Sequence, residues 1–300
     1  MNAVDSISVD SVEFCYDINR KLLYNLKNRY PFAEFSVIGR SWAGRGIFSM
    51  SIGEGDECVL FLGGMRGQDG ASSLVLYRLF EKICSSMTSG DELSGIRIKP
   101  LLKGKKLVFI PCVNPDSIEI RTVGASGAGC YRGLTDRAAG GDYSKWNSNA
   151  RGVDITYNFD YNHKPIIFGN YDKKPMPSPF CYAGPSPESE PETKALANIC
   201  ERMNFKQAFL LGCDEEKIVW SGELERSQRI AKVLSSVNGF VAQKMDGYEG
   251  AGSFYSWFTS EFNRSAFEIQ IGKTKRSISE SEFEILYNKV EELLVLSAIL

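Results

Sequence analysis

The chain has 300 residues, 43% hydrophobic and 24% charged, enough to bury a large core in one globular domain. Its 35 basic and 37 acidic residues leave a net charge of −2 with no long block of one sign, which excludes affinity for nucleic acid or anionic membranes built on a basic field. It holds one histidine, His163, which excludes any site needing two imidazoles.

The eight cysteines are scattered with no C-x-x-C pair and read as reduced thiols. The N-terminus is polar and acidic, with no basic stretch followed by an apolar one, and no apolar run approaches the roughly 18 residues of a spanning helix. These features predict a soluble, cytoplasmic protein with residues 1–10 as a loose tail.

Residues 11–29 repeat apolar positions at helical spacing, with Leu22, Leu23 and Leu26 on one stripe, and the predicted helix ends before Pro31. Strands are predicted at Phe35–Ile38 and Ile47–Ile52 around the turn 41–46. Cys58–Leu62 is a continuous apolar run of the kind that forms a buried central strand. A glycine-spaced loop, Gly64–Gly70, leads into a helix over Ser72–Met87. Leu107–Val113 is a further buried strand, stopped by Asn114-Pro115-Asp116, and residues 121–152 read as a long glycine-rich loop.

Ser189-Glu190-Pro191-Glu192 reads as a capping box that opens a helix ending near Met203. Strands at Ala208–Leu211, Lys217–Trp220 and Ala266–Ile271 alternate with helices at Gln228–Val237 and Ser253–Glu261. Ser279-Glu280-Ser281-Glu282 is a second capping box, opening a helix to the C-terminus. The alternation, without a Pro- or Ser-rich linker, predicts one α/β domain over 1–300: a three-layer fold with a mostly parallel sheet between helices.

Generic motifs assign no reaction. The loop at 64–70 is neither G-x-G-x-x-G nor a P-loop and has no lysine, which argues against nucleotide binding. Ser126 is one residue off a nucleophile elbow and follows no clear strand. His163 lies in an irregular stretch, where a lone histidine reads as a surface or hydrogen-bonded residue.

An ordered series of segments is more specific. It runs through Ile38-Gly39-Arg40-Ser41 with Gly44-Arg45, Gly63-Gly64-Met65-Arg66-Gly67-Gln68-Asp69 and Val113-Asn114-Pro115-Asp116. It continues with Trp146-Asn147-Ser148-Asn149-Ala150-Arg151-Gly152-Val153-Asp154, Asn158-Phe159, the stretch from Gly184 to Thr193, and Phe267-Glu268-Ile269-Gln270-Ile271-Gly272. In this order the chain resembles the zinc carboxypeptidase (M14) family, in particular its bacterial branch that cleaves γ-D-glutamyl-diaminopimelate bonds in cell-wall peptides. The likeness extends from about residue 11 to the end. It implies a twisted, mixed sheet of about eight strands with helices on both faces.

The same resemblance shows what has been replaced. The family binds catalytic zinc through a His and a Glu spaced H-x-x-E after the central strand and a second His after a later one; the matching positions here are Arg66, Asp69 and Gly212. The family's general base, a Glu in the last strand, is matched by Gln270, an amide that cannot accept a proton from water. Its substrate-gripping positions are matched by Gln68, Asn147, Thr156 and Tyr157. Asp154, which in the family stands behind the first histidine, and Asn158 remain as supports of the cleft. A guanidinium roughly 4 Å from Zn²⁺ adds on the order of 8 kcal/mol of repulsion at an effective dielectric of about 20, so no metal and no other cofactor is expected.

Arg66 is expected either to pair with Asp69, Asp154 or both, replacing the metal's charge, or simply to point to solvent from its loop. Asp116 reads as a turn residue, Asp214 and Glu215 as solvated, and Glu268 as pointing outward. The expected function is that of a pseudopeptidase whose former active-site cleft takes a peptide or cell-wall muropeptide, with no nucleic-acid or membrane partner. The alternatives are an active metallocarboxypeptidase with an atypical site, a different enzyme built from groups such as Asp69, Asp116, Asp154, Cys213, Asp214 and Glu268, and a scaffold that uses another surface.

Overall fold

In the computed structural model, described for residues 11–164, 176–245 and 250–300, an extended pair at Val12–Glu13 precedes helix α1 (Tyr16–Arg29). Three strands follow, β1 (Glu34–Arg40), β2 (Gly46–Ile52) and β3 (Glu54–Leu62), then helix α2 (Gly70–Ser89) and strand β4 (Lys103–Ile110). Helices α3 (Pro115–Val123), α4 (Arg132–Ala139) and α5 (Pro191–Arg202) lead to β5 (Phe205–Gly212) and β6 (Glu216–Trp220). The chain ends with α6 (Glu225–Asn238), β7 (Val241–Lys244), α7 (Phe254–Phe262), β8 (Ser265–Ile271) and α8 (Glu280–Ser297). The tail expected at 1–10 lies outside the described residues.

The main sheet has eight strands in the order β7-β6-β8-β5-β3-β4-β2-β1. The pairs β7–β6, β8–β5, β5–β3 and β3–β4 are parallel, and β6–β8, β4–β2 and β2–β1 are antiparallel. Side chains alternate across it with period two. On one face, register aligns Phe109, Phe61, Phe209 and Phe267 on adjacent strands, and their rings stack at 5.0–5.5 Å between centroids. That face is covered by apolar residues of α1, α2, α6 and α8; Leu60, Leu62, Ala208 and Leu210 on the other face pack against α5 and α7. The expected three-layer α/β fold is present.

Local chemistry explains where the elements differ from expectation. Residues 121–152 are substantially helical, comprising the end of α3, a 3₁₀ segment at Gly124–Tyr131, and α4. The Asn114 side chain caps α3 by accepting from Ser117 N–H at 3.1 Å, and Pro115 follows in its first turn. Two of the glycines read as a loop signal, Gly124 and Gly140, instead end short helices, Gly140 in a left-handed cap. Asp116 therefore sits in a helical turn and is fully buried. It accepts from Ser41 Oγ at 2.6 Å and Arg45 Nη1 at 2.8 Å, which pins the β1–β2 turn.

The two capping boxes part ways. Ser279 and Glu282 make both reciprocal bonds at the start of α8. At α5 the box does not form: Glu190 is the N-cap, and Ser189 Oγ donates to the Glu190 carboxylate instead. The carboxylates of Glu190 and Glu192 are instead engaged by Trp42 and Asn149.

Candidate functional site

Parallel neighbours β3, β5 and β8 end at the same edge of the sheet, which is where open α/β sheets place ligands. The loop after β3 turns sharply at Gly64, which has φ +58° and lies so close to Cys112 that a Cβ would sit 3.0 Å from its Cα. Asn114 Nδ2 donates to Met65 O at 3.1 Å, and the two loops are thereby tied together. Arg66 leaves this loop toward the ends of β5 and β8.

The Arg66 guanidinium fills the space between those strand ends. Its Nε and backbone N–H both donate to Asp69 Oδ2 at 3.0 Å. Its Nη2 donates to Glu268 Oε1 at 3.3 Å and to Gln270 Oε1 at 3.4 Å, and Gln270 Nε2 donates to the same Glu268 oxygen. Gln270 is paired in register with Gly212 on the adjacent strand. A Cβ at Gly212 would lie 2.4 Å from Arg66 Nη2 and 2.8 Å from Gln270 Oε1. Only glycine leaves room for this guanidinium.

The expected partner Asp154 is not bonded to Arg66. Its Oδ1 accepts from Thr156 Oγ1 at 2.6 Å and its Oδ2 from Cys181 N–H at 3.0 Å, so both oxygens are turned to their own loop. Glu268 takes the second place. Its side chain faces inward, only 17% exposed, contrary to the outward reading. Residues 268 and 270 are two apart on one strand and must share a face, so the assignment of Gln270 to the cleft already placed Glu268 there.

Charges in the site are tightly coupled. Burial opposes the charge of Arg66, but Asp69, Glu268 and the more distant Asp154 outweigh it and raise its pKa. Burial raises the pKa of Glu268, partly offset by Arg66, and burial also raises that of Asp154. The buried Cys213 thiol is pushed up to about 12 by burial and by Asp69. It is an inert thiol at neutral pH.

Beside the guanidinium lies a cavity of about 270 Å³, whose lining includes Arg66, Tyr157, Asp214, Tyr255, Glu268 and Gln270. Thr156 lines it too, as do Glu215 and Lys217, so the acids expected to be merely solvated border the cavity. Gln68 and Asn147 do not line it; they bond to each other, with Asn147 Oδ1 accepting from Gln68 N–H at 3.3 Å. Asn158 does not line it and is fully buried, donating to Ala183 O at 2.7 Å and accepting from Glu190 N–H at 3.2 Å. His163 bonds through Nε2 to Ala183 O at 2.9 Å and does not line the cavity. Lys217, Val219, Met245, Ser253 and Tyr255 are lining residues that sequence reasoning missed; Tyr255 escaped it because a tyrosine inside an apolar helix reads as core.

Residues 20–217 match the profile of the family described as Peptidase M14, zinc carboxypeptidase. The chain belongs to that family. Gamma-D-glutamyl-L-diamino acid endopeptidase 1 of Lysinibacillus sphaericus is 24% identical over 280 residues, covering 91% of this chain and 69% of that protein. The uncharacterized protein YqgT of Bacillus subtilis is 24% identical over 275 residues, covering 88% and 72%. Among solved structures, carboxypeptidase A from Helicoverpa armigera superposes with a TM-score of 0.72 at 14% identity over 99% of this chain and 77% of that one, which shows the shared fold.

Members of the M14 family are zinc carboxypeptidases, but the donors present here do not fit zinc. A catalytic zinc needs three nitrogen, sulfur or oxygen donors converging on one point. Asp69 has one oxygen bonded to Cys213 N–H at 2.9 Å and the other to Arg66. Position 212 offers no side chain, and a guanidinium occupies the space in front of it. Among the described residues no group of three His, Cys, Asp or Glu side chains is arranged to hold a metal ion. No described helix is long and apolar enough to cross a membrane.

Proposed function

We propose that this chain is a catalytically silent M14 protein that retains the cleft as a binding site for a peptide, with a cell-wall muropeptide as the first candidate. The observation that carries this reading is the Arg66 guanidinium, held by Asp69 and Glu268 in the space that Gly212 leaves open. Position 270, the family's base position, holds an amide that already donates to Glu268 and cannot take a proton from water. The cavity nevertheless persists with hydroxyls, an amide and carboxylates on its wall, groups suited to a peptide backbone. The similarity to an endopeptidase acting on γ-D-glutamyl-L-diamino acid links supports a muropeptide as ligand.

The test combines three measurements. Metal analysis of protein prepared without chelators should find no stoichiometric zinc, and γ-D-glutamyl-diaminopimelate peptides should remain uncleaved. Muropeptide fragments should raise the melting temperature saturably, since a ligand at 100 times its Kd stabilises by about 2.7 kcal/mol. One zinc per chain together with hydrolysis would overturn the silent-site reading, and no shift with any fragment would overturn the binding reading.

A second reading, acid–base chemistry without a metal, is favoured by Glu268 alone, a carboxyl of raised pKa on the cavity wall. It predicts a turnover that Glu268→Gln abolishes.

A further inference from the structure

The cavity beside Arg66 carries an excess of negative charge. Among the described residues its wall holds three acids, Asp214, Glu215 and Glu268, against two cations, Arg66 and Lys217. Lys217 is paired with Glu215, and Arg66 is shared between Glu268 and the buried Asp69. Asp214 meets the exposed Lys273 at 4.0 Å, a surface pairing of little strength. Burial raises the pKa of Glu268; Arg66 opposes that rise, and Asp69, Asp214 and Asp154 add to it. A positive charge entering the cavity relieves this repulsion.

The hydrogen bonding supplies a second observation. Arg66 spends Nε on Asp69 and Nη2 on Glu268 and Gln270, while Nη1 donates to none of the described residues and is not sealed from solvent. Glu268 accepts from Arg66 and Gln270 at Oε1, while Oε2 accepts from none of the described residues and is likewise open. The two side chains meet at 3.3 Å, so an unused donor and an unused carboxylate oxygen belong to adjacent groups. An ammonium suits the oxygen and a carbonyl suits the guanidinium. A free carboxylate suits neither, because Arg66 already answers two acids and a further anion would add to the excess.

Resting on the reading of this cleft as a peptide-binding site, we propose that its cavity takes a primary ammonium group, received by Glu268 and Asp214. Arg66 Nη1 holds a carbonyl of the same ligand, and a free carboxylate is turned away. The ammonium comes from the amino end of a peptide, which has a carbonyl beside it, or from a basic side chain. At about 270 Å³ the cavity is smaller than the roughly 300–1,000 Å³ of sites that enclose a drug-sized ligand, so it takes one end of a peptide and leaves the rest outside.

The experiment titrates three blocked peptides into the full chain by calorimetry at pH 7 and fixed ionic strength. Alanyl-alanine amide has a free ammonium and no carboxylate, N-acetyl-alanyl-alanine has the reverse, and N-acetyl-lysine amide has an ammonium on its side chain alone. The first should bind saturably, and the second about tenfold or more weakly. Tighter binding of the lysine amide than of alanyl-alanine amide assigns the ammonium to a side chain, and the reverse order to an amino end. Glu268→Gln should weaken the ammonium peptides about tenfold without weakening N-acetyl-alanyl-alanine, whereas a merely structural role would weaken all three. Asp214→Asn, at the exposed rim, should weaken the ammonium peptides at an unchanged melting temperature, and it carries the comparison if Glu268→Gln does not fold. Equal or tighter binding of N-acetyl-alanyl-alanine overturns this proposal and leaves the peptide-binding reading standing. Silence of all three peptides also overturns it, and the peptide-binding reading falls with it only if muropeptide fragments fail to raise the melting temperature.

Discussion

Arg66 and Gly212 exclude any side chain from each other's space: Nη2 of the arginine lies 2.4 Å from where a Cβ on residue 212 would be. Gly212→Ala should therefore destabilise the fold by about 1–3 kcal/mol, since the guanidinium is pinned and cannot simply swing away. The cost should largely disappear in an Arg66→Ser, Gly212→Ala double variant once the Arg66→Ser effect is subtracted. Urea unfolding of the four proteins in the cycle measures this coupling.

Removing the guanidinium leaves Asp69 and Glu268 facing each other without a cation. Arg66→Met should cost about 3 kcal/mol at pH 7, the lower end for breaking a buried pair, because Arg66 and Glu268 keep some exposure. Part of the loss should return as pH falls and Glu268 takes up a proton. Denaturation at pH 5 and pH 7 checks the sign.

Glu192 offers a pH prediction remote from the cleft. Burial, and then the nearby Asp116 and Glu190 charges, push its carboxyl up to about 8 from 4.5. The folded state therefore binds more protons than the unfolded state between those values. Stability from this group is full below about pH 4.5 and is lost as pH rises toward 8, with a slope of at most about 1.4 kcal/mol per pH unit. Glu192→Gln should flatten that slope, as read from urea midpoints at pH 5, 7 and 9.

The box at the start of α8 should also be measurable. Ser279→Ala removes the hydroxyl that accepts from Glu282 N–H at 3.3 Å and should cost about 1 kcal/mol. Ser189→Ala, at the superficially identical motif before α5, removes no cap, and thermal melting should separate the two variants.

That contrast shows how far the sequence carried. The elements were legible where local chemistry acts alone: the apolar run 58–62 became the inner end of a central strand, and Ser279 with Glu282 capped its helix. The reading failed where a distant partner claimed the residue. Glu190 and Glu192 are held by Trp42 and Asn149, more than 40 positions away in sequence. Asp116 was drawn into a helix and bound to Arg45. In the site, the clustering of positions 66, 69, 212 and 270 followed from the family likeness. The choice of Glu268 over Asp154 depended on Asp154 being satisfied by Thr156 and Cys181, which spacing does not encode.

The mutual exclusion at 66 and 212 also bears on reversibility. A histidine at 212 cannot be accommodated until the guanidinium has gone, yet losing the guanidinium first strands two carboxylates. Each single substitution toward an imidazole at these two positions is uphill in stability, so Arg66 and Gly212 lock one another in place and can be exchanged only together.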